Sequence, residues 1–251
     1  MVHGADQLVP FLIDVPRLFQ PDDVSCGPTC LRQVFHAYGD PKSHEEVIRI
    51  TRRTPDGGTL PVYLGLAALT AGYRVRAYSY NLRIFDPTWA ELPPRELRTK
   101  LWQRARAVGG VGFKRETRAW REFLRAGGEI RFEDISPALL IRILRDGHPV
   151  VCGLSATYLY RQVRERPRDN VCDDIRGEPV GHYVVVCGYR RGGRRFLVTD
   201  PWPHAPFEPG GHYEVPVYRL LSSILLGDVT RDAVLLEVFR PKKRPRSHET
   251  P

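Results

Sequence analysis

The spacing of apolar residues changes in character halfway along the chain. In the first half, apolar side chains recur every three or four residues, which predicts helices over residues 26–38, 43–53 and 60–72. Gly72 would end the third helix, because glycine adopts the backbone conformation that follows many helices. Polar and apolar residues then alternate over 73–80, which predicts a strand.

The second half has mainly the period of strands. A helix is predicted over 136–147 and a short buried strand over 148–155. Glycine-rich and proline-rich turns then separate alternating segments. These predict strands over 181–189, 194–202, 212–220 and 233–239. Helices followed by an antiparallel sheet indicate an α+β fold, and 251 residues are enough for one large core.

Composition divides the chain into three parts. We predict an N-terminal arm over 1–13, one domain over 14–240, and a basic, disordered tail over 241–251. Residues 82–134, approximately, have a basic helical pattern and too few apolar side chains for a core of their own. We therefore interpret them as an insertion in the domain.

The chain has a net charge of +9, and much of it comes from residues 95–125 and from the tail. A solvated helix face next to a disordered end would explain this charge. The alternative is an anionic partner such as nucleic acid, an acidic peptide or a membrane surface. Trp102 and Trp120 lie among the arginines and favour some contact, but charge alone carries no specificity.

Membrane and compartment signals are weak. No apolar run reaches the 18 or so residues of a membrane-spanning helix. The N-terminal segment has no basic leader, and Asp14 and Pro16 interrupt its apolar run, so a cytoplasmic location is predicted. The odd number of cysteines, five, fits a reducing compartment. Cys26 and Cys30 have no second pair at ligand spacing, so we predict neither a metal nor a cofactor.

Cys26 is the candidate nucleophile. A run of turn-forming residues ends at this cysteine, and an amphipathic helix is predicted to begin there. Helix N-termini favour the ionised form of a thiol, which is the nucleophilic form. Gly27 and Pro28 suit a first helical turn that other groups approach closely. Cys30 lies one turn later on the face predicted to be buried, and packing explains it best.

His182 and Asp200 are the candidate base and its orienting group. His182 opens the predicted strand 181–189 on the face of Val184, and Asp200 ends the next strand. Where consecutive strands pair antiparallel, the start of one meets the end of the other. The two side chains are therefore expected to be adjacent, although a histidine among core valines is most often structural.

Gln20 lies six residues before Cys26 and could donate its side-chain amide to a developing oxyanion. Taken separately, Gln20, Cys26, His182 and Asp200 are each explained best by an ordinary structural role. Their order along the chain and their local contexts favour one shared catalytic site.

The segments around these residues resemble the papain-like cysteine peptidases, and in particular family C39. The segment "SCGPTCL" with Gln20 before it, the segment "GHYVVVCGY" and the segment "DPW" carry the resemblance. It covers residues 14–40, 57–80 and 136–205, approximately. The founding members are double-glycine leader peptidases of bacteriocin ABC exporters.

This resemblance implies a papain-like α+β fold and a peptide or protein substrate. It implies that Cys26 is the nucleophile, His182 the general base and then acid, Asp200 the group that orients the imidazole, and Gln20 the oxyanion donor. The segments 95–125 and 158–180 are longer than a minimal peptidase domain of the family requires. The second segment directly precedes His182, and we expect it to border the site.

Other functions stay open at this point. The same thiol chemistry serves transpeptidases, transglutaminases and deamidases, and the fold does not decide between these acceptors. A peptidase-like module could also bind peptides without catalysis. Such a module is expected to have lost the cysteine or the histidine, and this chain has both. An anion-binding protein would show a steep salt dependence of binding that survives the substitution Cys26→Ala.

Overall fold

The computed structural model describes residues 9–55, 57–207, 212–227 and 233–241. Within these ranges the helices are α1 Cys26–Ala37, α2 His44–Ile50, α3 Pro61–Thr70, α4 Pro94–Val108, α5 Val111–Arg125, α6 Pro137–Arg145, α7 Ala156–Tyr160 and α8 Val217–Leu226. The strands are β1 Phe11–Leu12, β2 Arg74–Ser79, β3 Glu129–Arg131, β4 Val150–Ser155, β5 Gly181–Arg190, β6 Arg195–Thr199, β7 His212–Pro216 and β8 Val234–Phe239.

The strands form one sheet in the order β3-β2-β8-β4-β5-β6-β7, with β1 paired to the far end of β5. Strands β2 and β3 are parallel and the other pairs are antiparallel. The last strand, β8, lies between β2 and β4, so it joins the strands of the first half to those of the second. The predicted α+β class is confirmed, although the sheet also recruits strands from the first half of the chain.

Strand β5 crosses the centre of the molecule and is buried on both faces. Tyr183, Val185 and Cys187 face a core built with α1, α3 and α5. Val184 and Val186 face a second core built with α6, α7 and α8. The alternation predicted for this strand is confirmed, and it determines on which side of the sheet His182 lies.

The basic segment covers the first of these cores. Helix α5 buries Trp120 and Phe123 in that core and keeps its arginines on the outer side. Phe123 lies so close to α3 that a Cβ atom on Gly65 would be 2.8 Å from its ring. Residues 82–134 therefore share the core of the domain, and they contain strand β3, which the sequence pattern did not predict.

One predicted strand is partly wrong. The pattern predicts a strand over 212–220, but β7 ends at Pro216 and helix α8 begins at Val217. The physical reason is the spacing of Val217, Leu220 and Ile224, which places all three on one buried helical face. Helix α7 was also missed, because it is short and follows the buried strand β4 directly.

The chain ends are described only in part. Of the predicted N-terminal arm, residues 1–8 lie outside the described ranges, as does the predicted disordered tail after Pro241. Among the helices described above, none is both long and apolar enough to cross a membrane.

Candidate active site

Helix α1 begins at Cys26, on the rim of the core. Gly27 lets the helix approach its neighbours, since a Cβ atom there would lie 3.1 Å from Leu64 and 3.2 Å from Tyr183. One turn later the buried Cys30 thiol donates to the backbone oxygen of Tyr183 at 3.2 Å. Cys30 thus connects α1 to β5, while Cys26 stays half-buried at the helix start.

Arg53 holds the loop that leads into α1. Its guanidinium donates to the hydroxyl of the fully buried Ser25 at 3.0 Å and to the backbone oxygen of Gly57 at 2.9 Å. Slight burial raises the pKa of Asp22, but hydrogen bonds from Ser25 and Val24 and the charge of Arg53 lower it overall. A fixed cation therefore stands beside the segment that carries Cys26, a contact that sequence spacing did not suggest.

The structure brings His182 and Asp200 together. His182 Nε2 lies 2.9 Å from Asp200 Oδ1. The cause is the antiparallel pairing of β5 with β6, in which Val185 is opposite Thr199. Asp200 directly follows β6 and so reaches the beginning of β5.

Asp200 is completely buried and accepts hydrogen bonds at both carboxylate oxygens. Besides His182, the Trp202 backbone N–H donates to Oδ1 at 2.9 Å. The hydroxyls of Tyr160 and Tyr213 donate to Oδ2 at 2.8 Å and 2.6 Å. Burial favours the neutral carboxyl, but His182, Tyr213 and Trp202 hold the pKa of Asp200 below its usual range.

The two tyrosines were not predicted from the sequence. Tyr160 ends the short helix α7 and Tyr213 lies in β7, so only the folded sheet places both beside Asp200. Burial and then the nearby Asp200 charge raise the pKa of each phenol well above its usual value. Both therefore stay neutral hydrogen-bond donors at physiological pH.

His182 links Asp200 to Cys26. Burial lowers the pKa of His182, but the Asp200 carboxylate and a hydrogen bond with the Cys26 side chain raise it to about 10. Because Nε2 faces Asp200, Nδ1 is the ring nitrogen left for the thiol. His182 is 7% exposed, so an imidazolium at this position interacts with protein charges more than with water.

Gln20 lies on the His182 side of the site. Its backbone N–H donates to the Pro201 oxygen at 2.8 Å, which connects its loop to the segment after β6. Its side-chain Nε2 donates to the Asp22 backbone oxygen at 2.8 Å, and its buried Oε1 has no hydrogen-bond partner among the described residues. An amide group has two N–H donors, so one remains for another acceptor.

Two adjoining cavities form a cleft around these residues. One, of about 530 Å³, is lined by Cys26, and the other, of about 360 Å³, by Gln20 and His182. Glu165 and Asn170 line both cavities, so the loop before β5 borders the site. A larger cavity of about 850 Å³ borders β1, β6 and β7 and contains none of the four candidate residues.

Possible metal ligands come together elsewhere. Among the described residues, Asp146, His148 and Glu237 have donor atoms within 4.8 Å of one another. Glu237 already accepts hydrogen bonds from Arg76 and Tyr78, and its Oε1 lies 2.7 Å from His148 Nδ1. The side chains of Arg76, Tyr78 and His148 thus already contact both oxygens of this carboxylate.

The acidic loop near Cys172 also satisfies its own charges. Asp173 accepts hydrogen bonds from the backbone of Ile175 and Arg176, and from the side chain of Arg176. The Asp173 carboxylate therefore stabilises a turn in this exposed loop.

Comparison with known proteins gives one family match. Residues 118–216 match the model described as the Peptidase_C39 like family. The chain is similar to the C39-like peptidases. The predicted resemblance is thereby confirmed over the segment that contains His182 and Asp200, whereas Gln20 and Cys26 lie before the matched range. No curated protein matches the chain.

Three solved structures are similar to this chain. The peptidase domain of Streptococcus ComA, a bi-functional ABC transporter involved in quorum sensing, is 14% identical, with a TM-score of 0.45 and coverage of 90% of this chain and 98% of that chain. A double glycine motif protease from an AMS/PCAT transporter, in complex with the leader peptide, is 14% identical, with a TM-score of 0.43 and coverage of 92% of this chain and 98% of that chain. A C39-like peptidase from Bacillus anthracis is 13% identical, with a TM-score of 0.47 and coverage of 92% of this chain and 98% of that chain.

Removal of one tyrosine hydroxyl is expected to destabilise the protein. The substitution Tyr213→Phe keeps the ring but removes the 2.6 Å hydrogen bond to Asp200. A hydrogen bond to a buried charge contributes about 2 kcal/mol, so the free energy of unfolding in urea is expected to fall by about that amount. Tyr218→Phe, at a 78% exposed residue, is the control. An equal effect of both substitutions would contradict this account of Asp200.

The His182–Asp200 pair is expected to make the free energy of unfolding fall as the pH becomes alkaline. The pKa of His182 is raised from 6.5 to about 10, so the folded state binds its proton more tightly than the unfolded state. This stabilisation is complete below about pH 6.5 and is lost as the pH rises through about 10. The difference in unfolding free energy between wild type and His182→Gln is therefore expected to shrink over this range. A constant or growing difference would contradict the shift.

Proposed function

We propose that the chain is a cysteine peptidase that hydrolyses peptide or amide bonds of a peptide or protein substrate through an acyl-enzyme on Cys26. The observation that carries the proposal is the connected set Cys26, His182 and Asp200, in which Cys26 and His182 line the two adjoining cavities and Asp200 is buried behind His182. The 2.9 Å contact of His182 Nε2 with Asp200 leaves the other ring nitrogen for Cys26. A nucleophile, a base and an orienting carboxylate are the groups that this chemistry needs.

The reaction has two steps. In the first, His182 takes the proton of the Cys26 thiol, and the sulfur forms a bond to the carbonyl carbon of the substrate. The C–N bond then breaks as protonated His182 gives this proton to the leaving amine. In the second, His182 takes a proton from water, the water oxygen attacks the thioester, and the acid product leaves as the thiol reforms. Asp200 keeps the imidazole ring oriented and stabilises its charged form in both steps.

Gln20 is proposed as a donor to the oxyanion of each tetrahedral intermediate. Its loop is joined to the segment that follows Asp200, and its side chain lines the same cavity as His182. The backbone N–H of Cys26, at the start of α1, is the second donor, because the first N–H groups of a helix have no partner inside the helix.

All five cysteines are free, which supports the proposed location in the reducing cytoplasm.

The proposal is tested by incubating a peptide library with wild-type protein and with Cys26→Ala, and identifying new amino termini by mass spectrometry. We expect new termini with wild type only. Cys30→Ala is the matched control, since the Cys30 thiol is completely buried one helical turn after Cys26 and donates a hydrogen bond to the Tyr183 backbone oxygen. We expect this variant to keep its cleavage activity. Cleavage that survives Cys26→Ala would contradict the proposal, as would transfer of the acyl group to added amines without hydrolysis.

A further inference from the structure

The basic segment forms a helical hairpin with an unusual excess of charge. Helices α4 and α5 are separated by two glycines, so they run side by side in opposite directions. Residues 94–125 contain ten basic and three acidic residues, and this excess makes up most of the net charge of the chain. A solvated helix usually mixes the two signs along its face, and here one sign dominates.

A groove between the two helices collects these charges. It has a volume of about 440 Å³, and one wall contains Trp102 and Arg106 of α4. The other wall contains basic residues of α5 at intervals of four, three and four residues, which place them in one stripe along the helix. These residues are Lys114, Arg118, Arg121 and Arg125.

The charges in the groove are poorly compensated within the protein. Glu122 is the acidic residue of the groove, and it is bound by both Arg52 and Arg118. The Nε atom of Arg121, which lines the groove, is buried and has no hydrogen-bond partner among the described residues. Burial and the neighbouring arginine charges lower the pKa of Arg121. An added anion would therefore relieve repulsion and satisfy exposed and buried donors together.

Helix α5 also connects this groove to the candidate active site. Gly112 and Arg115 of its first turns line the cavity that contains Cys26, while Lys114 opens the basic stripe. From Lys114 to Arg125 the stripe is about 16 Å long, from the rise per residue of an α-helix. An extended peptide of about five residues covers that length. One chain could thus occupy the cleft and the groove together.

We propose that the α4–α5 groove binds a carboxylate-rich segment of the same peptide substrate whose scissile bond lies in the cleft. The link to a substrate rests on the proposed peptidase function. Guanidinium groups bind carboxylates with paired hydrogen bonds, which matches the arginine stripe. Nucleic acid is less favoured, because single strands need free aromatic faces for stacking, and Arg106 lies 4.9 Å over the ring of Trp102, the exposed aromatic side chain of the groove.

The groove is tested by fluorescence anisotropy with a rhodamine-labelled oligoglutamate peptide and the full chain carrying Cys26→Ala, which separates binding from catalysis. Lys114→Gln combined with Arg125→Gln removes two exposed charges from the groove. We expect about fivefold weaker binding. Arg95→Gln combined with Lys100→Gln removes two exposed charges from α4 outside the groove, and an effect of less than about twofold is expected.

Two results of this binding experiment would overturn the proposal. Equal losses in both double variants would show diffuse attraction to a basic surface. Tighter binding of a single-stranded oligonucleotide of the same net charge would assign the groove to nucleic acid instead.

A second measurement addresses the link to the cleft. Among library peptides cleaved by wild type, acidic residues are expected to be enriched at a fixed distance on one side of the cleavage site, and Lys114→Gln with Arg125→Gln should abolish this enrichment. Cleavage without enrichment would overturn the substrate assignment. Absence of any cleavage would contradict the peptidase function but leave the oligoglutamate result in place.

Discussion

The substitution Asp200→Ala is expected to lower the free energy of unfolding by about 3–5 kcal/mol and to remove most of the proposed peptidase activity. The carboxylate is completely buried, and it accepts hydrogen bonds from the hydroxyls of Tyr160 and Tyr213 and the backbone of Trp202. Alanine would leave these donors unpaired in the interior and His182 without its anion. Urea unfolding and the rate of peptide cleavage measure the two effects.

A second variant separates the two contributions of Asp200. Asp200→Asn keeps the volume of the side chain and an oxygen that can accept from the tyrosines, but it removes the negative charge. We expect a smaller loss of stability than with alanine and a loss of activity of about 10⁴-fold, since the imidazolium loses its partner. Wild-type activity in Asp200→Asn would contradict the role given to the His182–Asp200 contact.

The substitution His182→Ala is expected to lower kcat/KM by about three orders of magnitude or more. In the proposed mechanism the imidazole takes the proton of the nucleophile and passes it to the leaving amine, and general acid–base catalysis contributes about 10²–10⁴-fold. The control is His148→Ala, because that histidine pairs with Glu237 away from the cleft. Equal losses in both variants would indicate that loss of structure, rather than of the base, causes the effect.

Local patterns were sufficient for most of the fold. Strand β5 was predictable because its alternation matches burial on two faces, and α1 because turn-forming residues precede an amphipathic run. The contact of His182 with Asp200 followed from the geometry of an antiparallel pair joined by a short turn. These features depend on residues that are close along the chain or in adjacent strands.

What escaped prediction depends on distant segments. Tyr160, Tyr213 and Arg53 contact the site through hydrogen bonds that form only when α7, β7 and the loop after α2 pack around it. No period or motif distinguishes such residues from ordinary core or loop positions. Likewise, the strand predicted over 212–220 is wrong after Pro216, where buried side chains change from every second residue to every third or fourth residue.

The most direct test of the catalytic claim is the rate at which iodoacetamide alkylates each cysteine, followed by peptide mass mapping from neutral to mildly acidic pH. The chain provides its own controls, since Cys172 is exposed and Cys30, Cys152 and Cys187 are buried. We expect Cys26 to react faster than Cys172, to keep this reactivity at mildly acidic pH, and to lose it in His182→Ala. Equal rates for Cys26 and Cys172 at every pH, unchanged by His182→Ala, would contradict the assignment of Cys26 as the nucleophile.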